Sequence, residues 1–259
     1  MLLGLLPILA LVAVYAIASH FRLADNPDDK LLPGLGQMIE AMKALMFEAD
    51  PRSGRYLFLS DTLASLARLL TGVGLAAVAA LLVGVNMGLR QRTREVFGPT
   101  LTIVSLIPPL AVLPILFIAL GVDEASKVTL IFIGVFPLMA RDMLLATDAL
   151  PREGLVKAVT LGASPLGVTY RLVMPQMLPR LIDSIRLALG GAWLFLIAAE
   201  AIASTEGLGY RIFLVRRYLS MDVILPYVAW ITLLGFMFDW LLRRWLRWQF
   251  QWYVASKRN

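Results

Sequence analysis

The chain predicts an all-α membrane protein of about six transmembrane helices, and three observations predict it. Hydrophobic residues make up 59% of its 259 positions, against roughly 45–50% in a soluble domain. The mean hydropathy is +0.76, and the apolar residues gather in runs of about twenty, the length that crosses a ~30 Å hydrocarbon core. Backbone groups in lipid must pair within the chain, and the period-2 alternation of a membrane barrel is absent, so the runs read as helices.

The spans fall at Leu3–Phe21, Thr62–Leu89, Leu101–Leu120, Ser126–Ala146, Leu181–Ala203 and Val223–Leu242. Ala16-Ile17-Ala18 has the form of a signal-peptide cleavage site, but no basic stretch precedes the apolar run, so residues 1–21 read as a retained first span. Pro33 opens an amphipathic stretch over residues 33–50, with Met38, Ile39, Met42, Leu45 and Met46 on one stripe. It reads as a helix lying on the outer membrane surface. Gly72, Gly74, Gly84 and Gly88 on the second span permit close helix approach in lipid. Pro108, Pro109 and Pro114 interrupt the third span; a break at membrane depth is tolerated where it is buried or lines a cavity, so Pro108 and Pro109 are candidates for a translocation path.

Lys and Arg set the orientation. Arg90, Arg92 and Arg94 follow the second span; Arg152, Lys157, Arg171 and Arg180 sit between the fourth and fifth; Arg243, Arg244, Arg247, Lys257 and Arg258 follow the sixth. These loops should be cytoplasmic, together with a basic tail over 243–259, and both termini then lie inside. The acidic loops Asp25–Asp29 and Asp123-Glu124 should lie outside. One loop breaks the pattern: Arg211, Arg216 and Arg217 fall on the outer side.

The polar segment 150–179 stands between two greasy ones and reads as two short helices broken at Gly162-Ala163-Ser164-Pro165. Gly162 suits a helix end, Ser164 an N-cap and Pro165 the first turn that follows. This segment resembles the cytoplasmic EAA-x3-G-x9-I-x-L-P motif of permease subunits of bacterial ABC importers. Ala158, Gly162 and Pro175 match, Leu172 and Met174 are apolar substitutes, and Val156 and Lys157 depart from the triplet. KAVTLGAS, RLVMPQMLPRLIDSIRLALGGAW, AAEAIASTEGLGYRI and IPPLAVLPILFIALGVDEASKV resemble permeases of the nitrate, sulfonate, taurine and bicarbonate group, from about Pro33 to Leu242.

The resemblance implies a type I ABC importer permease architecture, with 1–259 a single transmembrane domain and 62–242 its core. It implies a bacterial inner membrane location, a second copy of the chain, two ATPase subunits seated on a coupling helix, and an outside solute-binding protein. Lys157, Ala158, Gly162, Ala163, Ser164, Leu172 and Pro175 would then carry the coupling. The solute would be a small polar compound of the nitrate, sulfonate, taurine or bicarbonate kind, or a small nitrogen compound.

The chain carries no chemistry of its own to drive such work. No Gly-Lys pair occurs, so there is no GxxxxGK[ST] loop, and no cofactor is expected here; ATP and Mg belong to the partner ATPase. His20 is the lone histidine and cysteine is absent, which removes metal sites of the usual kinds. Charged residues inside spans are functional candidates unless paired. Asp183 with Arg186 and Asp239 with Arg243 read as ion pairs, and Arg141 with Asp142 as an interfacial pair. Glu200 has no basic residue within a turn and is a candidate for the path or a dimer interface. Arg211, Arg216 and Arg217 suit docking of an acidic binding protein, or snorkelling to lipid phosphates. An ion-gradient transporter or channel would instead show inverted repeats and carboxylate relays, which are not evident.

Overall fold

A computed structural model describes residues 6–26, 29–51 and 54–256. Leu3 to Leu5 of the first span, Asp28 of the acidic loop, and Lys257 and Arg258 of the tail lie outside the described residues. Among the described residues every regular element is helical: α1 (Leu6–Asp25), α2 (Leu35–Phe47), α3 (Leu57–Leu89), α4 (Gln91–Leu106), α5 (Pro109–Leu120), α6 (Glu124–Asp148), α7 (Arg152–Thr160), α8 (Pro165–Gly167), a π-helical turn (Val168–Val173), α9 (Met174–Ile202), α10 (Leu208–Val215), a 3-10 turn (Arg216–Tyr218), α11 (Met221–Gln249) and α12 (Gln251–Ser256).

Among the described residues, four continuous helical stretches are long and apolar enough to cross a bilayer: Leu57–Leu89, Glu124–Asp148, Pro165–Ile202 and Met221–Gln249. The expected third span is not one rod. α4 and α5 meet at 97°, and together they make a fifth, broken candidate. The reason is local: neither Pro108 nor Pro109 has an N–H to continue α4, and Pro109 is pre-set as the first residue of α5. The described part of the basic tail is largely helical, because α11 runs on to Gln249 and α12 covers Gln251–Ser256.

The chain divides into two compact units. The first holds residues up to Ser65 and Glu200–Leu233; the second holds Leu66–Ala199 and residues from Leu234 onward. In the first unit α1 shows apolar side chains such as Leu11, Val14 and Phe21 on its surface, as a lipid-facing helix does. It is clipped to the following segment by Tyr15 Oη donating to Pro33 O (2.8 Å) and Ser19 Oγ donating to Leu32 O (3.0 Å). α2 begins two residues after Pro33, and Met38, Met42 and Leu45 of its apolar stripe are half-buried.

In the second unit α3 and α6 pack through glycines. A Cβ on Gly72 would stand 2.8 Å from Ile131 Cβ, and one on Gly84 would stand 2.6 Å from Ala140 O, so these positions admit nothing larger. Gly74 faces open space and takes no part. The expected pairs Asp183–Arg186 (2.7 Å) and Asp239–Arg243 both form, and Arg186 Nε reaches Asp239 Oδ1 (2.8 Å), joining them into one network. Tyr253 Oη of α12 closes it on Asp183 (2.9 Å), while Ile182, Leu246 and Tyr253 form the apolar floor beneath. The third expected pair is absent. Arg141 and Asp142 are consecutive and so lie about 100° apart around the helix, where side chains do not face each other. A trio the sequence left unremarked forms instead: buried Arg68 donates to the exposed Glu124 (Nη2–Oε1, 2.7 Å), and buried Lys127 reaches the same carboxylate through Nζ (2.9 Å).

Candidate functional site

The segment 150–175 forms a sharp elbow in the second unit. α7 ends at Thr160, and Gly162 takes φ +84°, a left-handed conformation that costs an L side chain roughly 1–2 kcal/mol. Ser164 caps the next helix: its Oγ accepts from Gly167 N at 3.1 Å, and Pro165 occupies the first turn. So far the local chemistry follows expectation. The second helix, however, is not short. It runs from Pro165 to Ile202 without a break, so the outgoing arm of the elbow is the same rod as the fifth span.

A π-helical turn makes that continuity possible. Pro175 cannot donate to the carbonyl four residues back, and its ring crowds it. The turn over Val168–Val173 is widened, so Met174 N–H donates to Thr169 O, five residues back, and the rod passes through Pro175 unbroken. Hydropathy reading placed the start of this span at Leu181 because Arg171 and Arg180 interrupt the apolar run.

The elbow is rooted from beneath and bare on top. Val85, Val168, Val173 and Met177 form a buried cluster, with Leu155, Ala158, Ala163 and Leu172 packed onto it. Above it Val156, Val159, Leu166 and Tyr170 are exposed, and Leu161 is 87% exposed. An open groove of ≈ 720 Å³ follows the corner and is lined by Ala158, Gly162, Ala163, Ser164, Leu172 and others of the two arms. Five of the seven residues expected to couple therefore meet in one hollow. Lys157 and Pro175 are exposed but do not line it.

The other candidate residues fall in a different setting. Glu200 is fully buried in the first unit. Its carboxylate accepts from Ser65 Oγ (2.7 and 2.9 Å) and from Gly209 N (2.8 Å). Asp61 is also fully buried and accepts from Gly207 N (2.9 Å), Arg211 Nε (2.7 Å) and Tyr227 Oη (3.2 Å). Ser65 Oγ accepts in turn from Leu208 N at 2.8 Å. Three successive backbone N–H groups at the start of α10 thus find Asp61, Ser65 and Glu200, which is how an orphaned helix N-terminus is best satisfied. Gly207 holds φ +128°, and a Cβ there would stand 2.5 Å from the Glu200 carboxyl carbon.

Glu200 is thus closed in by its own chain, within hydrogen-bond reach of the turn it holds. Arg211 is likewise unlike an open docking residue: its side chain is 12% exposed and committed to Asp61. Burial acts against its charge, but the hydrogen bond and the charge of Asp61 outweigh that and raise its pKa. Only Arg216 and Arg217, on the 3-10 turn, stand exposed, Arg216 over the Phe213 ring at 4.9 Å. Asp61 was missed because it precedes the expected start of its span; α3 begins five residues earlier, at Leu57.

Comparison with known proteins agrees with this architecture. The family described as "binding-protein-dependent transport system inner membrane component" matches residues 72–249, and the chain belongs to it. It is a membrane-spanning permease subunit of a binding-protein-dependent ABC importer. The taurine transport system permease protein TauC of Escherichia coli (strain K12) is 33% identical over 180 residues, covering 70% of this chain and 66% of that protein. A protein described as an ABC transporter permease in Brucella abortus (strain 2308) is 31% identical over 223 residues, covering 85% and 86%. An inward-facing structure of the MetNI methionine ABC transporter shares the fold at a TM-score of 0.63 and 18% identity, over 71% of this chain and 92% of that one.

Proposed function

We propose that this permease works as a pair of identical copies, driven by two ATPase subunits that grip the elbow around Gly162 and supplied by an outside solute-binding protein. The chain lies in a bacterial inner membrane with both termini cytoplasmic, as one transmembrane domain, with α2 resting on the outer surface. The cargo is a small polar solute of the taurine, sulfonate, nitrate or bicarbonate kind. ATP and Mg are held by the partner, and this chain contributes no catalytic group.

The observation that carries the reading is the bare elbow. Val156, Val159, Leu161, Leu166 and Tyr170 expose apolar surface on a polar segment that departs from the membrane spans. Burying one such side chain in a partner groove is worth roughly 1.5–3 kcal/mol. Because the outgoing arm is continuous with α9, a push on the elbow moves a whole span rather than a slack loop. Solute passes at the Pro108–Pro109 break, where the backbone is interrupted between α4 and α5.

Co-expression with a candidate partner ABC ATPase tests the reading. A stable complex from the unaltered chain, and its loss in Leu161→Glu with the permease still folded, is the expected result. A Leu161→Glu chain that co-purifies and hydrolyses ATP normally would remove the elbow as the grip.

A further inference from the structure

Two adjacent charges in α6, Arg141 and Asp142, go unanswered among the described residues, and of these Arg141 lines open space. Arg141 forms no hydrogen bond and no ion pair among the described residues, whereas Arg94, Arg186, Arg211 and Arg243 each hold a carboxylate. It lies seven residues before Asp148, hence ~10 Å from the end of a helix long enough to span the membrane. A guanidinium at that depth costs several kcal/mol unless it reaches water or an anion.

Arg141 stands where two adjoining hollows meet. One, of ≈ 310 Å³, is lined by Arg94, Gly98, Thr102 and Ser105 besides Arg141. The other, of ≈ 200 Å³, is lined by Ile107 and Pro109 at the α4–α5 corner, and shares Ser105, Pro137 and Arg141 with the first. The larger is at the lower end of small-molecule sites, roughly 300–1,000 Å³. A small solute fits; a drug-sized one does not.

The local charge balance leaves Arg141 in command. Arg94 is neutralised by Asp148 at 3.2 Å. The C-terminal end of α4 and the N-terminal end of α5 carry about −0.5 and +0.5 charge and offset each other at the corner. Asp142, the next residue, carries a carboxylate unpaired among the described residues but points about 100° away around the helix, and Arg141 is the unpaired charge that lines the hollows. Thr102 Oγ1 rests on Gly98 O (3.1 Å) and Ser105 Oγ on Thr102 O (2.8 Å). A hydroxyl resting on its own helix can re-aim its single hydrogen toward a stronger acceptor.

We infer that Arg141, assisted by Ser105 and Thr102, is an oxyanion station on the translocation path: it takes the sulfonate, carboxylate or carbonate head of the solute beside the Pro108–Pro109 break. The inference rests on the importer reading above and adds the residue of this chain that meets the solute. The planar guanidinium suits such heads because it can donate two parallel hydrogen bonds. A single exposed charge holds the solute weakly, as a site that must release its cargo requires.

The test is arginine-selective labelling with phenylglyoxal, read by mass spectrometry on the purified permease–ATPase complex in phosphatidylcholine nanodiscs. Methanesulfonate should slow modification of Arg141 by at least about threefold at twice its dissociation constant, as mass action gives. Exposed Arg216 should stay unaffected, and sodium chloride at equal ionic strength should protect neither. Equal protection by sodium chloride, or none by methanesulfonate, overturns the station. Protection only when phosphatidylglycerol replaces phosphatidylcholine also overturns it, and makes Arg141 a lipid anchor. In proteoliposomes with the loaded binding protein, Arg141→Gln should lower uptake roughly tenfold, and Arg141→Lys, which keeps charge without the fork, less. Both variants should still assemble with the ATPase and elute as the intact complex, so that the uptake loss reads the station and not misfolding. Unchanged uptake in Arg141→Gln ends the proposal. Failure of the permease to hold any ATPase ends the importer reading instead, while labelling of the permease alone still reads Arg141.

Discussion

The elbow of residues 152–175 and the polar knot around Asp61 are opposites in how they treat water. The knot hides two carboxylates, a guanidinium and a phenol in the interior and satisfies them from its own backbone. The elbow does the reverse: it leaves Leu161 and its apolar neighbours uncovered over a well-packed base. A region that answers every buried polar group internally is built to hold its shape. A region that leaves apolar surface unanswered is built to be completed by something else. The difference separates residues whose substitution should unfold the chain from those whose substitution should uncouple it.

The largest effect is expected in the knot. Asp61→Asn leaves Arg211 beside a neutral amide, and breaking a buried ion pair costs roughly 3–5 kcal/mol. Thermal unfolding in detergent should shift steeply downward. The raised pKa of Arg211 means that its part of this stability is present at every pH below its ordinary value and is lost only as pH rises through the higher folded one. The pair should therefore show no loss from the arginine side near neutrality. Glu200→Gln should also destabilise, by about 1–3 kcal/mol, because one amide oxygen cannot replace a carboxylate among the Ser65 and Gly209 donors. If Glu200→Gln instead folds normally and loses only uptake, the knot is part of the solute path and the contrast between the two regions breaks.

The elbow should respond differently. Gly162→Ala meets no steric neighbour, so only backbone strain opposes it: about 1–2 kcal/mol if the corner keeps its shape, and little of it once the corner relaxes. That strain straightens the corner without touching the spans. Binding-protein-stimulated ATPase should fall roughly tenfold, the equivalent of ~1.4 kcal/mol, at little change in unfolding temperature. An equal loss of thermal stability would show that the corner holds the fold and does not serve a partner.

The two regions also differ in how far they could be read from the chain. At the elbow the informative residues are neighbours: Gly162, Ser164 and Pro165 dictate a helix end, a cap and a restart within four positions, and the structure has each. The continuity into α9 was hidden, because hydropathy registers Arg171 and Arg180 as interruptions while a π-helical turn carries the backbone past Pro175. The knot is assembled from Asp61, Glu200 and Arg211, more than a hundred positions apart in the case of Asp61 and its partners, and no local period connects them. Glu200 looked solitary because the backbone N–H of Gly209 and the Ser65 hydroxyl hold it, and charge patterning sees neither. The pairs Asp183–Arg186 and Asp239–Arg243 were legible at helical spacing, but their fusion through Arg186 was not.

The smallest effect belongs to the surface between these extremes. Arg216 and Arg217 lie a few residues beyond Arg211 in sequence, yet they are exposed and hold no carboxylate among the described residues, so they share none of the knot's stability. Reversing both to Glu should leave unfolding unchanged within about 0.5 kcal/mol. If they meet an acidic binding protein, the reversal should slow association several-fold at low salt, and the difference should shrink at about 0.15 M, where the screening length is ~8 Å. Stopped-flow association of the loaded binding protein with reconstituted permease measures it. A rate loss that persists at high salt would mean that the two arginines make a desolvated contact. No loss at any salt would return them to the lipid phosphates, with the aliphatic stems lying along the apolar face of α10.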